Sequence, residues 1–271
     1  MSLSYQHMYH AGNRADVHKH LWLVAVLDAL RALPNPITWI DAHAGRGIYD
    51  LESDAAYKTK EATHGIKHLW DQSHLVDPTW IRLKQLQRKV NPARDGNPTL
   101  RYYAGSSVLA AMMMRPQDKL LCAELHPAEY AALRTTMKAY SNVALHHEDM
   151  VHLIHRTLPL HGTHGGMLID PSYECKEEYA TFAPLLHKIA KQWREGTLML
   201  WYPILPAARH ELLRAQCREL MPDIIIDEWL FPEPEQGVRR GLLGSGMIIA
   251  RAPEQARFAM QAQTSERNNT P

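Results

Sequence analysis

The sequence contains few cysteines and no long apolar run. Its three cysteines, Cys122, Cys175 and Cys217, lie far apart without a C-x-x-C pair. This spacing argues against a disulfide framework or a cysteine-held zinc cluster, and it suits a reducing cytosol. No apolar run approaches the ~20 residues of a membrane-spanning helix. The N-terminal stretch MSLSYQHMYHAGNRADVHKH is polar and lacks the apolar core of a signal peptide. We therefore expect a cytoplasmic protein with no membrane partner.

The sequence also lacks a large excess of positive or negative charge, since its 271 residues carry a formal net charge of +1. The charges are unevenly distributed, however. Between Ala55 and Arg101 there are nine Lys/Arg and four Asp/Glu, a local +5, which leaves −4 for the remainder. A basic segment on a slightly acidic body is typical of an arm that binds a nucleic-acid backbone. A solvated helical face with lysines for solubility explains the same composition, and both interpretations stay open.

Two common ligand-binding motifs are absent. Of the 17 histidines, only His64 and His68 have the helical i, i+4 spacing of metal ligands, and no H-E-x-x-H accompanies them, so we expect no metal site. The glycines of D-A-H-A-G-R-G do not form G-x-G-x-x-G, and no acid follows at the spacing of a ribose ligand. Dinucleotide binding is therefore disfavoured.

Short apolar strands alternate with helical patterns along the chain. Strands are predicted at 37–41, 120–124, 143–149, 167–170 and 197–202, and helices at 13–33, 107–114, 127–140, 150–158, 177–193 and 205–220. This alternation predicts an α/β fold with a mostly parallel, doubly wound sheet. The last two strands, 224–230 and 246–252, leave no room for a crossover helix. They predict a C-terminal hairpin at the sheet edge with an antiparallel final strand.

The domain organisation follows from one long gap. The first two strands are separated by far more chain than a crossover helix requires, and the surplus, 57–97, coincides with the basic segment. Its second helix carries an apolar stripe of Trp80, Leu83, Leu86 and Val90. We predict a single domain over 1–271 with a small helical insert at 57–97. The polar end, 263–271, is expected to be a disordered tail.

Four carboxylates stand at predicted strand ends: Asp41, Glu124, Asp149 and Asp170. In open α/β sheets the carboxyl ends of the strands form the ligand crevice. A crevice rich in carboxylates repels pyrophosphate and suits S-adenosylmethionine (AdoMet), which has a sulfonium, an ammonium and a ribose diol. Glu124 is predicted to accept both ribose hydroxyls, and Asp149 to accept from the adenine amine. The alternative is that each carboxylate caps the helix that follows it.

Several motifs together carry a resemblance to a known family. D-P-S-Y at 170–173 resembles the D-P-P-Y motif of methyltransferases that act on the adenine amino group. Nearly the whole chain resembles the bacterial RlmJ family, which methylates the N6 amine of an adenine in 23S ribosomal RNA. The matching runs are Y-x-H-x-x-H-A-G-N-x-A-D-V-x-K-H (5–20), D-x-H-A-G-x-G (41–47), R-Y-Y-x-G-S (101–106), E-L-H-P (124–127), L-W-Y-P (200–203) and R-R-G…S-G-M-I (239–248).

The resemblance implies the fold, the cofactor and the site. It implies a Rossmann-like AdoMet-dependent methyltransferase with a small helical insert, and it implies 23S ribosomal RNA as the partner. The cofactor contacts that it implies are His20, His43, Ser106, Glu124, Asp149, Met150 and Asp170. It assigns Tyr5, His7 and Lys19 to the RNA substrate or to closing of the site. No protein partner is evident.

The same resemblance implies a mechanism at D-P-S-Y. The target amine donates to the Asp170 carboxylate and to the Pro171 carbonyl, and Tyr173 offers a stacking face for the base. Ser172 replaces the second proline of the family motif, which removes the pre-proline restriction on Pro171 and leaves its carbonyl in place. Met150 stands where the family has glycine. The alternative for this stretch is a proline turn in which Tyr173 fills the core.

Three functions fit the sequence. The first is an RNA adenine-N6 methyltransferase. The second is an adenine-N6 methyltransferase acting on DNA, which usually has a larger target-recognition domain. The third is a nucleic-acid-binding protein without catalysis, since family members have been labelled as needed for using external DNA as a nutrient. Only Ser172 favours the third.

Overall fold

The computed structural model describes residues 6–72, 76–92, 99–175, 177–232 and 241–268. The strands are β1 (Ile37–Asp41), β2 (Ile48–Asp50), β3 (Tyr102–Ala104), β4 (Lys119–Ala123), β5 (Val143–His146), β6 (His164–Ile169), β7 (Gly196–Ile204), β8 (Ile225–Leu230) and β9 (Gly244–Ala250). The α-helices are α1 (Arg14–Arg31), α2 (Asp54–Thr59), α3 (Glu61–His64), α4 (Ile66–Trp70), α5 (Pro78–Lys89), α6 (Ser106–Met113), α7 (Pro127–Thr136), α8 (Met150–Thr157), α9 (Glu178–Gln192), α10 (His210–Leu220) and α11 (Glu254–Asn268).

Seven strands form one sheet in the order β5-β4-β1-β6-β7-β9-β8. The first five in this order are parallel, and β9 lies antiparallel between β7 and β8. The predicted α/β class and the antiparallel final strand are confirmed. The chain builds outward from β1 to β5 and then returns to β6, so the topological switch lies between β1 and β6. A ligand crevice is expected at the carboxyl ends of these strands.

Both faces of the sheet are covered, as the continuous apolar run of β6 predicts. Met167, Leu168 and Ile169 of β6 are all buried. One hydrophobic cluster packs α1, α5, α6 and α11 on one face, and a second packs α8, α9 and α10 on the other. Gly165, the second residue of this strand, has φ +150°, and a Cβ there would stand 1.8 Å from the Thr38 carbonyl oxygen. Only glycine permits β6 to approach β1 so closely.

Helix α1 is almost entirely buried. The Asn13 side chain caps it by accepting from the Asp16 amide at 2.8 Å. Every residue from Ala15 to Leu27 is buried, including Asp16, His18, Lys19 and His20. Buried polar and charged groups are costly unless they have partners. All four side chains have hydrogen-bond partners, and Asp16, Lys19 and His20 line the cavity described below.

The insert adds helices to the main core rather than forming a core of its own. Trp80, Leu83 and Leu86 of α5 belong to the same hydrophobic cluster as α1, whereas Val90 is only partly buried and caps the helix. Strands β2 and β3 flank the insert and pair antiparallel. They were not predicted, because three residues are too few to show a period. That 57–97 acts as a functional unit stays a prediction.

The expected disordered tail is wrong as far as Asn268. Helix α11 runs through Asn268, and its Ala256, Met260 and Gln263 are buried. The helix packs against α1 and α5. The polar composition of this segment did not indicate a helix. Three buried residues, spaced by four and then three positions, are enough to pack it against the core. Residues 269–271 lie outside the described residues. None of the described helices has the length and apolar character to cross a membrane.

Replacing Leu83 by alanine should lower the free energy of unfolding by about 2–5 kcal/mol, because its fully buried side chain fills the shared core. Ile81→Ala on the same helix is the matched control, since Ile81 is 43% exposed, and it should change stability by no more than about 0.5 kcal/mol. Urea unfolding followed by circular dichroism measures both. Equal effects would mean that α5 does not share the main core.

Candidate active site

A cavity of about 440 Å³ lies at the carboxyl ends of the parallel strands. Its volume is within the range of small-molecule and cofactor sites. It is lined by ten of the residues predicted for the site: His7, Lys19, His20, His43, Ser106, Glu124, Met150, Asp170, Pro171 and Tyr173. The structure therefore brings together side chains from α1, from the loops after β1, β4 and β6, and from the start of α6 and α8.

Lys19 joins α1 to the motif that follows β6. Its ammonium donates to Asp16 Oδ1 at 2.9 Å and to Asp170 Oδ2 in a short contact. Burial alone would lower the pKa of Lys19, but the Asp16 and Asp170 carboxylates outweigh it and raise that pKa above its ordinary value. Lys19 is therefore charged. It fixes one oxygen of Asp170 in place.

Asp16 anchors the other end of this ion pair. Its Oδ2 accepts from the Gly12 amide at 2.8 Å and from His7 Nε2 at 2.9 Å. Burial raises the pKa of a carboxyl, but at Asp16 the charges of His7 and Lys19 outweigh it and hold that pKa well below the usual range. The N-terminal turn and α1 are thus tied to a buried carboxylate. Through Lys19, the same carboxylate supports Asp170.

His43 and His20 are neutral at physiological pH. Burial lowers the pKa of His43 to about 4 and that of His20 to about 3, and the Lys19 charge adds to the shift at His20. His43 Nδ1 accepts from the Asp170 amide at 3.2 Å, so its proton is on Nε2. Among the described residues that buried Nε2 has no hydrogen-bond partner. It is a donor that suits a polar atom of a ligand.

Glu124 presents two partly satisfied oxygens. Oε2 accepts from the Gly45 amide at 2.9 Å, and Oε1 accepts from the His126 amide at 2.7 Å. Burial raises the pKa of Glu124, and the two backbone hydrogen bonds oppose that effect. Each carboxylate oxygen can accept a further bond. The arrangement fits a pair of neighbouring hydroxyls, such as a ribose diol.

The strand-end carboxylate of Asp41 does not line the cavity. Asp41, at the end of β1, is fully buried, and its Oδ2 has no hydrogen-bond partner among the described residues. Burial raises the pKa of Asp41 to about 6. The Glu124 acceptors and the His43 donor, both in the cavity lining, match a cofactor that carries hydroxyls and other polar groups.

The comparisons with known proteins agree with this geometry. A family model described as "Ribosomal RNA large subunit methyltransferase D, RlmJ" matches residues 34–265. The chain belongs to the RlmJ family. It is therefore a methyltransferase, and its cofactor is S-adenosylmethionine.

Individual relatives cover almost the whole chain. The Ribosomal RNA large subunit methyltransferase J of Haemophilus influenzae is 34% identical, over 93% of this chain and 88% of that protein. The Escherichia coli protein of the same name is 33% identical with the same coverage. A crystal structure of a Legionella pneumophila protein superposes with a TM-score of 0.82 at 31% identity, covering 94% of this chain and 93% of that chain. The Rossmann-like methyltransferase fold is thus confirmed.

Of the predicted site residues that the structure describes, one does not line the cavity. Asp149 is absent from its lining, and its Oδ1 accepts from the Val151 amide at 2.7 Å, which caps α8. This contact is the helix-capping role that was the alternative for Asp149. Its neighbours in the sequence, Glu148 and Met150, both line the cavity. Tyr5 lies outside the described residues. The ligand contacts of all the site residues stay predictions.

Tyr173 is packed more tightly than a stacking face requires. Its side chain is 8% exposed, and its ring centre lies 4.4 Å from that of Tyr179 and 5.6 Å from that of Phe182. Its hydroxyl donates to the Trp201 carbonyl at 2.9 Å, and its φ is +54°. These contacts agree with the alternative in which Tyr173 fills the core. They also hold the left-handed backbone of the D-P-S-Y turn.

Sequence reasoning missed two residues of the site. Asp16 appeared only inside the matching run at 5–20, and Trp201 only as part of L-W-Y-P. Both line the cavity. The signal for Asp16 was an acid spaced three residues before a lysine on one helix face. The signal for Trp201 was an aromatic pair late in a strand that runs toward the ligand edge of the sheet.

Glu124→Ala should weaken AdoMet binding by about 10- to 100-fold, because it removes the two oxygens that suit the ribose diol and charge-assisted bonds contribute about 1.5–3 kcal/mol. Glu195→Ala, which removes an exposed acid beyond α9, is the control. Calorimetry measures both. Burial raises the Glu124 pKa, so this carboxylate is protonated at a higher pH than an ordinary glutamate. The AdoMet affinity of the parent should therefore begin to fall at that higher pH when the solution is acidified. Unchanged affinity in Glu124→Ala would remove this residue from the site.

Proposed function

We propose that this chain transfers a methyl group from AdoMet to the N6 amine of an adenine in 23S ribosomal RNA, in the cytoplasm. The observation that carries the proposal is the Asp170 carboxylate at the end of β6. It lines the cavity, one of its oxygens is fixed by Lys19, and its backbone amide bonds His43. Membership of the RlmJ family supports the same reaction.

AdoMet supplies an activated methyl group, so the protein has mainly to bind and orient. Glu124 would accept from the ribose hydroxyls, and His43 Nε2 would donate to a polar atom of the cofactor. Ser106, at the first turn of α6, and His20 line the same cavity. Met150 takes the place of a family glycine, and its side chain is buried beside the cavity.

The adenine amine is a poor nucleophile, because its lone pair is delocalised into the ring. Lys19 occupies Asp170 Oδ2, which leaves Oδ1 to accept one N–H of the amine. The Pro171 carbonyl accepts the other. Two acceptors on one amine favour a pyramidal nitrogen aimed at the methyl group. The proton released on methylation passes to Asp170 directly or through water.

The basic insert contributes to RNA binding through part of its charge only. Lys84 donates to the Trp70 carbonyl and lies over the Trp70 and Trp80 rings, at 5.3 Å and 5.8 Å. Arg88 lies 5.7 Å from the Trp70 ring centre. These cations hold α4 against α5. The exposed Lys89 is a better candidate for phosphate contact.

Asp170→Ala should reduce methyl transfer by at least ~10²-fold, because the orienting acceptor and the proton acceptor are lost together. Single-turnover transfer from labelled AdoMet to a 23S ribosomal RNA fragment measures the effect. Ser172→Pro in the same loop is the matched control, which should retain activity because position 172 contributes mainly backbone restriction. A rate for Asp170→Ala within a few-fold of the parent would overturn the mechanism.

Protein-free 23S ribosomal RNA should accept methyl groups, and DNA of matched sequence should not. Digestion of the labelled RNA to nucleosides should yield N6-methyladenosine. Preferential labelling of DNA would favour the DNA methyltransferase instead. A parent that labels neither, together with a Ser172→Pro variant that gains activity, would indicate an enzyme that has lost catalysis.

Lys89→Gln should lower RNA affinity and reduce the slope of log K against log salt by about 0.7–0.9, the loss of one phosphate contact, with stability unchanged. Lys84→Gln should lower the free energy of unfolding instead, because its ammonium holds two helices together. Filter binding over a salt series and thermal unfolding separate the two outcomes. A salt slope unchanged by Lys89→Gln would assign this side chain to the solvated face.

A further inference from the structure

Trp201 is an aromatic side chain of the cavity to which neither the motifs nor the reaction has assigned a task. It lies in the second half of β7, lines the cavity and is partly exposed. The Lys19 ammonium is 5.8 Å from its ring centre, and the Tyr173 ring meets it edge-on at 6.1 Å. Both of these neighbours flank Asp170. The indole therefore stands beside the position of the target amine.

A chain of hydrogen bonds leads away from the indole into the protein. Trp201 Nε1 donates to Ser245 Oγ at 2.9 Å, and Ser245 Oγ is 2.9 Å from His18 Nδ1. His18 Nε2 is 3.0 Å from Asp227 Oδ2. With His18 neutral and its proton on Nε2, each group in this chain donates to the next, from indole to carboxylate. The chain ends on Asp227, which also accepts from Trp22 Nε1 at 2.6 Å.

The order serine, histidine, aspartate is that of a nucleophilic triad, but its placement excludes that role. Ser245 and His18 are both 0% exposed, and neither lines the cavity. The serine hydroxyl already accepts from the indole. Of the four side chains in this series of hydrogen bonds, Trp201 is the one that lines the cavity. The effect of the series is therefore to fix the plane of that ring.

The aromatic side chain of the D-P-S-Y motif is committed elsewhere. Tyr179 and Phe182 pack closely against the Tyr173 ring, and its hydroxyl is bonded to the Trp201 backbone. We propose that Trp201 supplies the aromatic face against which the target adenine packs, and that Ser245, His18 and Asp227 are positioning residues that set its orientation. This inference rests on the proposed function.

Loss of the aromatic face should appear in the use of RNA and not in cofactor binding. Trp201→Leu should raise the KM for the 23S ribosomal RNA fragment by about 10-fold or more, the usual scale of base–aromatic stacking. The Kd for AdoMet should stay within about twofold of the parent. Trp201→Phe keeps a ring without the indole N–H and should give a smaller rise. Trp193→Phe is the control, because Trp193 is buried, bonds the Thr163 carbonyl and does not line the cavity.

A double-mutant cycle tests the positioning residues. Ser245→Ala alone should raise the KM for RNA several-fold with AdoMet affinity retained. In the Trp201→Phe background, which has no indole N–H, the same Ser245→Ala change should add nothing further. A purely structural role for Ser245 would instead make the two effects additive, which would overturn the positioning chain.

The outcomes distinguish this inference from the function on which it rests. A parent that methylates the fragment supports the proposed function whatever Trp201 does. An unchanged KM in Trp201→Leu, or an equal loss of AdoMet affinity, would then overturn the inference alone. A parent that transfers no methyl group to RNA would overturn both.

Discussion

The buried ion pair of Lys19 with Asp16 and Asp170 is the constraint on which the site depends. An ammonium in the interior is stable only when its carboxylates reach it with good geometry, and removing one partner leaves an uncompensated charge. The contact joins residues 151 positions apart in the chain. It fixes α1 against the carboxyl end of β6. The position of the motif carboxylate is thus set by the requirement that Lys19 keep both partners.

Helix α1 extends this constraint to the rest of the cavity. Successive helical residues point about 100° apart, so His18, Lys19 and His20 reach three different elements. His18 bonds β9 and β8, Lys19 bonds the motif after β6, and His20 bonds the Tyr103 hydroxyl of β3 at 2.7 Å. One buried helix therefore sets the relative positions of the sheet edge, the reacting centre and the base of the insert. This explains why a helix so rich in polar groups is buried.

The cavity is lined by two kinds of side chain, polar and aromatic, which have different tasks. Its carboxylates and neutral histidines match the polar groups of the cofactor, and burial keeps His20 and His43 uncharged beside a permanently charged lysine. Its aromatic side chains divide in a way that the family motif does not state. Tyr173 and Trp201 both line the cavity, but the Tyr173 ring is packed against Tyr179 and Phe182 and stabilises the turn. The Tyr173 contacts can therefore hold this loop without the second proline of the family motif. This agrees with the presence of Ser172 at that position.

The sequence by itself determined the order and type of the main elements. Hydrophobic periodicity is local, so it predicted the five parallel strands and the antiparallel final strand, and the rule for strand ends predicted the edge where Asp41, Glu124 and Asp170 gather. Only the tertiary structure decided what those side chains contact. Asp149 caps its own helix, Lys19 finds Asp170, and polar α11 docks through a few buried residues. These outcomes depend on distant partners and on desolvation, neither of which a local pattern contains.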